Sequence, residues 1–153
     1  HCESSAASDV YKRQGMGFGL EIDCIGAANR MDLLTTPYAF DAEQARALTE
    51  AGTDILVAHM GLTTSGTIGA ETSLTLEDCV PRIAEMAEAA RQIRLDVIVL
   101  CHGGPIAMPP DANFILEQLD CVDGFYGASS MERLPTENAL TAQVQAFMKI
   151  RRS

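Results

Sequence analysis

Two histidines end apolar runs of the sequence and are the first candidates for chemistry. His59 closes TDILVAH, and His102 closes DVIVLCH. An imidazole titrates near neutral pH, so it can act as an acid, as a base or as the group that polarises a carbonyl. The alternative is that backbone groups at the strand ends simply satisfy each ring. Because both rings hold the same position in their runs, we predict that His59 and His102 are catalytic residues of one site.

A carboxylate and a guanidinium follow the last apolar run. Glu132 is predicted as a further catalytic acid or base, and Arg133 beside it as a group that binds an anion, unless the two form a solvated loop pair. Zinc is disfavoured because Cys101 and His102 are adjacent on a strand and point to opposite faces, and a third ligand at suitable spacing is missing. No metal ligand is therefore assigned.

Small residues also gather at the ends of two runs, in HGGP (102–105) and GASS (127–130). Small side chains let backbone N–H groups approach an anion closely, and the serine hydroxyls add donors. The alternative is that these residues form tight turns and nothing more. The predicted ligand-binding residues are Thr36, Tyr38, Gly61, Gly103, Gly104, Gly127, Ala128, Ser129, Ser130 and Arg133.

The elements that must position these residues alternate between helical and strand-like segments. Predicted helices cover residues 20–31, 41–51, 76–93, 111–119 and 135–150, and predicted strands cover 33–40, 55–58, 96–104 and 122–130. Such alternation indicates right-handed crossovers and a parallel sheet. A Rossmann-like sheet competes, but GxGxxG is missing after the first strand.

We therefore predict an α/β fold that is the carboxy-terminal part of a (β/α)8 barrel, with four βα units present. About four more units are expected ahead of them, because an intact barrel has about 250 residues. Residues 1–14 are predicted to be a non-native junction or a disordered arm, and residues 15–153 the partial barrel. The Gly-, Thr- and Ser-rich segment 61–73 exceeds the usual connection of about 2–6 residues, so a lid is expected there.

Composition excludes several classes of partner. The 153 residues carry a net charge of −10, whereas a nucleic-acid-binding protein needs a basic surface. No apolar run reaches the ~20 residues that span a bilayer. The scattered cysteines without a CxxC pair indicate reduced thiols and a cytoplasmic protein.

Four stretches resemble the phosphoenolpyruvate-hydrolase-like TIM-barrel family, which also forms the carboxy-terminal part of some plant virus-resistance proteins. They are TTPYAFD, TDILVAHMGLTTSGTIGA, DVIVLCHGGPIAMPPDA and VDGFYGASSMERLPTE. The resemblance implies hydrolase or lyase chemistry on a small phosphorylated or phosphonate keto acid. The cofactor stays unknown, with Mg²⁺ possible through the missing half. The partner is then a small anionic metabolite, and a homo-oligomer is possible. A metabolite-binding or signalling barrel without turnover is the alternative.

Overall fold

Five helices alternate with four parallel strands in the computed structural model, which describes residues 17–62, 64 and 74–151. The elements are α1 (Gly19–Arg30), β1 (Tyr38–Ala39), α2 (Ala42–Glu50), β2 (Ile55–His59), α3 (Leu76–Arg91), β3 (Ile98–His102), α4 (Pro109–Gln118), β4 (Gly124–Phe125) and α5 (Arg133–Met148). Each strand lies beside the next in sequence, in the order β1-β2-β3-β4. A doubly wound sheet reverses its strand order. This sequential α/β sheet is therefore part of a (β/α)8 barrel, as predicted.

The core lies between the sheet and its helices, because alternate residues of each strand point to opposite faces. From β2 and β3 it takes the fully buried Leu56, Ala58, Val99 and Cys101. The other face carries His59 and His102, which are partners in the β2–β3 register. Cys101 and His102 thus point to opposite sides of the sheet.

Side-chain caps begin two helices where the sequence predicts them. The Asp41 carboxylate accepts a hydrogen bond from the Gln44 amide at 2.8 Å before α2. Thr75 and Asp78 form a reciprocal capping box at the start of α3. Gly52 follows α2 with φ of 102°, a conformation that suits glycine after a helix.

No helix of the described residues is long and apolar enough to cross a bilayer.

Two helices begin two residues earlier than predicted, and each has a proline in its first turn. Helix α4 begins at Pro109 rather than at Asp111, whose carboxylate accepts the Met108 amide at 2.8 Å. Helix α5 begins at Arg133 rather than at Pro135. The first turn of a helix has amides without intrahelical partners, so a proline is tolerated there.

The outer strands are shorter than predicted. Strand β1 covers Tyr38–Ala39 rather than 33–40, since Pro37 has no N–H to donate to a ladder. Strand β4 covers Gly124–Phe125 rather than 122–130, because the chain turns at Ala128, whose carbonyl accepts from a later amide. The predicted lid at 61–73 falls largely outside the described residues, which include only 61, 62 and 64 of it.

Two aspartates fix the amino ends of the sheet. The amide and hydroxyl of Thr35 both donate to the Asp54 carboxylate at 2.8 Å, which ties β1 to β2. The Asp123 carboxylate accepts from the Val99 amide at 2.7 Å and from Arg91 at 3.1 Å, which ties β3 to β4. Because β1 and β4 have only two residues each, their backbone hydrogen bonds to the neighbouring strands are few, and these side-chain bonds add to them.

We predict that Asp54→Asn lowers the free energy of unfolding at neutral pH by about 1 kcal/mol. Donation by the Thr35 amide and hydroxyl holds the pKa of Asp54 below its ordinary 3.8. The stabilisation is therefore complete above 3.8 and is lost as the pH falls through the lowered value of the folded chain. Urea denaturation at a series of pH values measures this. The exposed Asp120→Asn is the control, and a parent–variant difference that does not shrink in acid contradicts the prediction.

Candidate functional site

Four rings meet at the carboxyl ends of the strands and are here called the ring cluster: Tyr38, His59, His102 and Tyr126. The two imidazole centroids are 4.8 Å apart. The Tyr38 ring stacks on His102 at 5.2 Å with 16° between the planes, and its centroid is 4.8 Å from that of His59. The Tyr126 ring meets His102 edge-on at 5.9 Å. The sheet register thus brings the two candidate histidines together.

His59 is half-buried and has a backbone donor beside it. Its Nδ1 atom accepts a hydrogen bond from the Gly61 amide at 2.9 Å. An imidazole nitrogen that accepts carries no proton, so this partner assigns the proton of the neutral ring to Nε2. Burial, followed by the nearby charge of His102, lowers the pKa of His59 from 6.5 to about 4. His59 is therefore a neutral donor at physiological pH.

His102 is almost fully buried and has a backbone acceptor beside it. Its Nδ1 atom lies 2.6 Å from the carbonyl oxygen of Tyr126. A carbonyl oxygen can only accept, so the Nδ1–H of His102 must donate. In the neutral ring, Nε2 then holds a free lone pair.

Thr36 and Tyr38, both predicted ligand-binding residues, belong to the same corner of the sheet. The Thr36 hydroxyl donates to the Tyr126 hydroxyl at 3.4 Å. Burial, with a further contribution from Tyr126, raises the pKa of Tyr38, so its phenol stays protonated at neutral pH. Tyr126 is absent from the residues that the sequence predicts. Tyr126 follows β4 directly and precedes Gly127, so it lies at the end of a strand. The same kind of position is the reason for predicting that the two histidines are functional.

Gly103 and Gly104 join the end of β3 to the end of β2. The Gly104 amide donates to the Gly61 carbonyl at 2.7 Å, and the Gly104 carbonyl accepts from the Thr64 amide at 3.1 Å. A Cβ on Gly104 would lie 2.4 Å from the Met60 carbonyl oxygen, and one on Gly103 would lie 2.3 Å from that of Gly61. The Gly104 amide is therefore already bonded within the chain, which favours the alternative of a tight turn. Binding of an anion by Gly103 and Gly104 stays a prediction.

The GASS segment forms the helical turn that leads into α5. The Ala128 carbonyl accepts from the Met131 amide at 2.8 Å, and the Ser129 carbonyl accepts from the Leu134 amide at 2.9 Å. This segment directly follows Tyr126 of the ring cluster in the sequence. It contains Gly127, Ala128, Ser129 and Ser130. Their binding of an anion stays a prediction.

Glu132 and Arg133 lie where α5 begins. Glu132 is exposed directly before the first residue of this helix. Arg133 forms an ion pair with Glu137 at 2.9 Å, one helical turn along. The acid or base role of Glu132 and the binding of an anion by Arg133 stay predictions.

The described residues do not fit a magnesium ion. Among residues 17–62, 64 and 74–151, no group of three or more His, Cys, Asp and Glu side chains is placed to hold a metal. The ring cluster offers nitrogen and phenol groups, whereas Mg²⁺ prefers carboxylate oxygens and water.

The sequence matches the phosphoenolpyruvate hydrolase-like family over residues 4–150. The chain therefore belongs to this family, as the strand-end motifs and the parallel sheet indicate. The match begins inside the segment 1–14, and the division at residue 14 stays a prediction.

Three curated proteins are similar to this chain over 136 residues, or 89% of its length. In Solanum lycopersicum, the ToMV resistance protein Tm-1(GCR237) is 58% identical and the ToMV susceptible protein tm-1(GCR26) is 57% identical. The putative transcriptional regulatory protein y4pA of Sinorhizobium fredii is 29% identical. The chain covers only 18% of each tomato protein and 22% of the bacterial one.

We predict that Gly104→Ala destabilises the chain by more than about 1 kcal/mol, because φ of 59° and the Met60 carbonyl both oppose a Cβ. Gly127→Ala is the matched control, since its φ is not positive and the atoms nearest to its Cβ belong to the Met131 side chain, which can move aside, rather than to the backbone. Thermal or urea unfolding of the two variants measures the difference. Equal stability of the two variants would contradict a junction built on Gly104.

A second prediction concerns the pH dependence of stability. His59 takes up a proton near pH 4 in the folded chain but near 6.5 in the unfolded chain. Between these values the unfolded state binds more protons, so stability falls as the pH decreases from 6.5 to 4. His59→Gln should flatten this part of the profile in urea titrations. The same slope in parent and variant would show that His59 is not held neutral.

Proposed function

We propose that this chain carries part of an enzyme site that hydrolyses or cleaves a small phosphorylated or phosphonate keto acid. The observation that carries the proposal is the pair His59 and His102, with ring centroids 4.8 Å apart at the carboxyl ends of adjacent strands. Catalytic groups of (β/α)8 barrels lie at this end of the strands. Membership of the phosphoenolpyruvate hydrolase-like family supports the choice of substrate class.

The two histidines suit the reaction of a carbonyl compound. One ring can polarise the carbonyl oxygen while the other moves a proton, and a general acid or base of this kind contributes about 10²–10⁴-fold in rate. The phenols of Tyr38 and Tyr126 border the rings and add hydroxyl groups. These polar groups can form hydrogen bonds with a small polar molecule at the ends of the strands.

The anionic group of the substrate is assigned to Ser129 and Ser130. Their hydroxyls directly follow the strand that supplies Tyr126, and a hydroxyl group can donate a hydrogen bond to an anion. The net charge of −10 does not prevent this, because surface carboxylates are screened over about 8–10 Å in physiological salt.

A second candidate is a barrel that binds the same kind of metabolite without turnover. The names of the relatives support it, since they describe resistance, susceptibility and putative transcriptional regulation rather than a reaction. The chain spans about a fifth of their length, so either function would belong to a larger protein.

The deciding experiment incubates the chain, and separately the full-length tomato relative, with phosphoenolpyruvate or phosphonopyruvate, with and without Mg²⁺. We expect release of pyruvate and phosphate that is lost in the His102→Ala variant of the chain. Tight binding without release favours the second candidate. If neither protein binds these compounds or releases products from them, both candidate functions are wrong.

The anion assignment has its own test. Ser129→Ala should weaken the binding of phosphoenolpyruvate by about 1–2 kcal/mol, because one hydroxyl donor to a charged group is removed. Isothermal titration of parent and variant measures the loss. The control is Thr141→Ala, which removes an exposed hydroxyl from α5. An unchanged affinity in Ser129→Ala would show that the turn does not hold the anion.

A further inference from the structure

Opposite kinds of backbone group contact the two histidines at the same ring atom. The Gly61 amide, a donor, lies 2.9 Å from Nδ1 of His59. The Tyr126 carbonyl, an acceptor, lies 2.6 Å from Nδ1 of His102. Neither backbone group can exchange its role, so the protein itself fixes where the proton of each neutral ring resides.

The remaining nitrogens consequently differ in kind. Nε2 of His59 carries a proton that it can donate, while Nε2 of His102 has a lone pair that can accept one. Tyr38 packs against both rings, stacked on His102 at 16° and tilted at 55° to His59. It therefore packs on both rings and restricts how each of them can turn.

We propose that the Gly61 amide and the Tyr126 carbonyl preset the two histidines in opposite roles, His59 as hydrogen-bond donor to a carbonyl oxygen and His102 as base towards the adjoining carbon. This inference rests on the proposed function and assigns the part that each residue has in it. Tyr126 is then a positioning residue, because it acts through the ring of His102.

The step that follows is an enolisation of a 2-keto acid. Nε2 of His102 takes a proton from the carbon next to the carbonyl, and the electron pair of that C–H bond forms the carbon–carbon double bond. The carbonyl π electrons move to the oxygen, which accepts the Nε2–H of His59. His102 becomes an imidazolium whose Nδ1–H still donates to the Tyr126 carbonyl. The reverse step protonates an enolate that bond cleavage leaves behind.

Electrostatics favour this division of roles over the reverse. A charged His102 beside His59 discourages a second positive charge, and burial already lowers the pKa of His59 to about 4. A neutral imidazole that donates to a carbonyl oxygen does not lose its own proton, so its role survives the whole cycle. The base, by contrast, must gain and return a proton.

The tautomers are tested directly by ¹⁵N NMR of the chain labelled in histidine, above neutral pH. The chain has three histidines, and the signal of His59 is identified by its contact with Phe40, whose ring centroid is 4.8 Å away. We expect protonated Nε2 in His59 and protonated Nδ1 in His102. The same tautomer in both rings overturns the proposal, whatever the outcome of the phosphoenolpyruvate assay.

Tyr126→Phe separates the backbone from the side chain, because it keeps the carbonyl and should leave the ¹⁵N pattern of His102 unchanged. His59→Gln and His102→Gln each remove the signals of one ring and so confirm which signals belong to it. If a variant does not fold, the contact with Phe40 still identifies the signals of His59.

The roles are tested by exchange of the methyl protons of pyruvate in D2O, which needs no phosphate release. Glutamine retains an N–H donor but is not a base. His102→Gln should therefore lose at least about 100-fold in exchange rate, and His59→Gln only about 10-fold. An equal or larger loss in His59→Gln, or no exchange by the parent chain, overturns the assigned roles. Exchange without cleavage of phosphoenolpyruvate would instead leave these roles standing and remove the proposed function.

Discussion

The close approach of two backbones, after β2 and after β3, is the constraint on which the site depends. The Gly104 amide reaches the Gly61 carbonyl at 2.7 Å, a distance that no residue with a Cβ permits at positions 103 and 104. Because the chain is held here, His59 and His102 end their strands side by side. The same contact keeps the Gly61 amide beside the ring of His59. The backbone of Gly61 therefore both joins the two strand ends and binds a candidate catalytic ring.

The edge strand β4 contributes to the site through its backbone. It has only two residues, but the Tyr126 amide extends the pairing by donating to the Cys101 carbonyl at 2.9 Å. This bond sets the position of the Tyr126 carbonyl, to which His102 donates. A short strand is sufficient because Asp123 anchors its other end to the Val99 amide.

Much of this structure could be predicted from residue types. Asp41, and Thr75 with Asp78, show the starts of two helices because their side chains bond to local amides. The equivalent positions of His59 and His102 predict their meeting, since adjacent parallel strands end at one edge. These features depend on neighbours in sequence or on a regular register.

Other features depend on contacts that residue types do not specify. The Tyr126 carbonyl beside His102 is a backbone group, which every residue possesses, so no pattern marks it. The Gly104 amide looks free in the sequence and is bonded only because Gly61 lies opposite it. Glu132 follows Tyr126 closely along the chain, but the turn before α5 leaves it exposed.

The carboxylates of Asp54 and Asp123 lie at the amino ends of the strands, while the rings lie at the carboxyl ends. Most of the anchoring of this sheet is therefore separated from its chemistry, with the glycine junction as the exception. In evolutionary terms, a lineage with this sheet can exchange Tyr38, His59 or Tyr126 while its strands stay aligned. Members of one family can thus inherit the same scaffold and diverge in what they recognise.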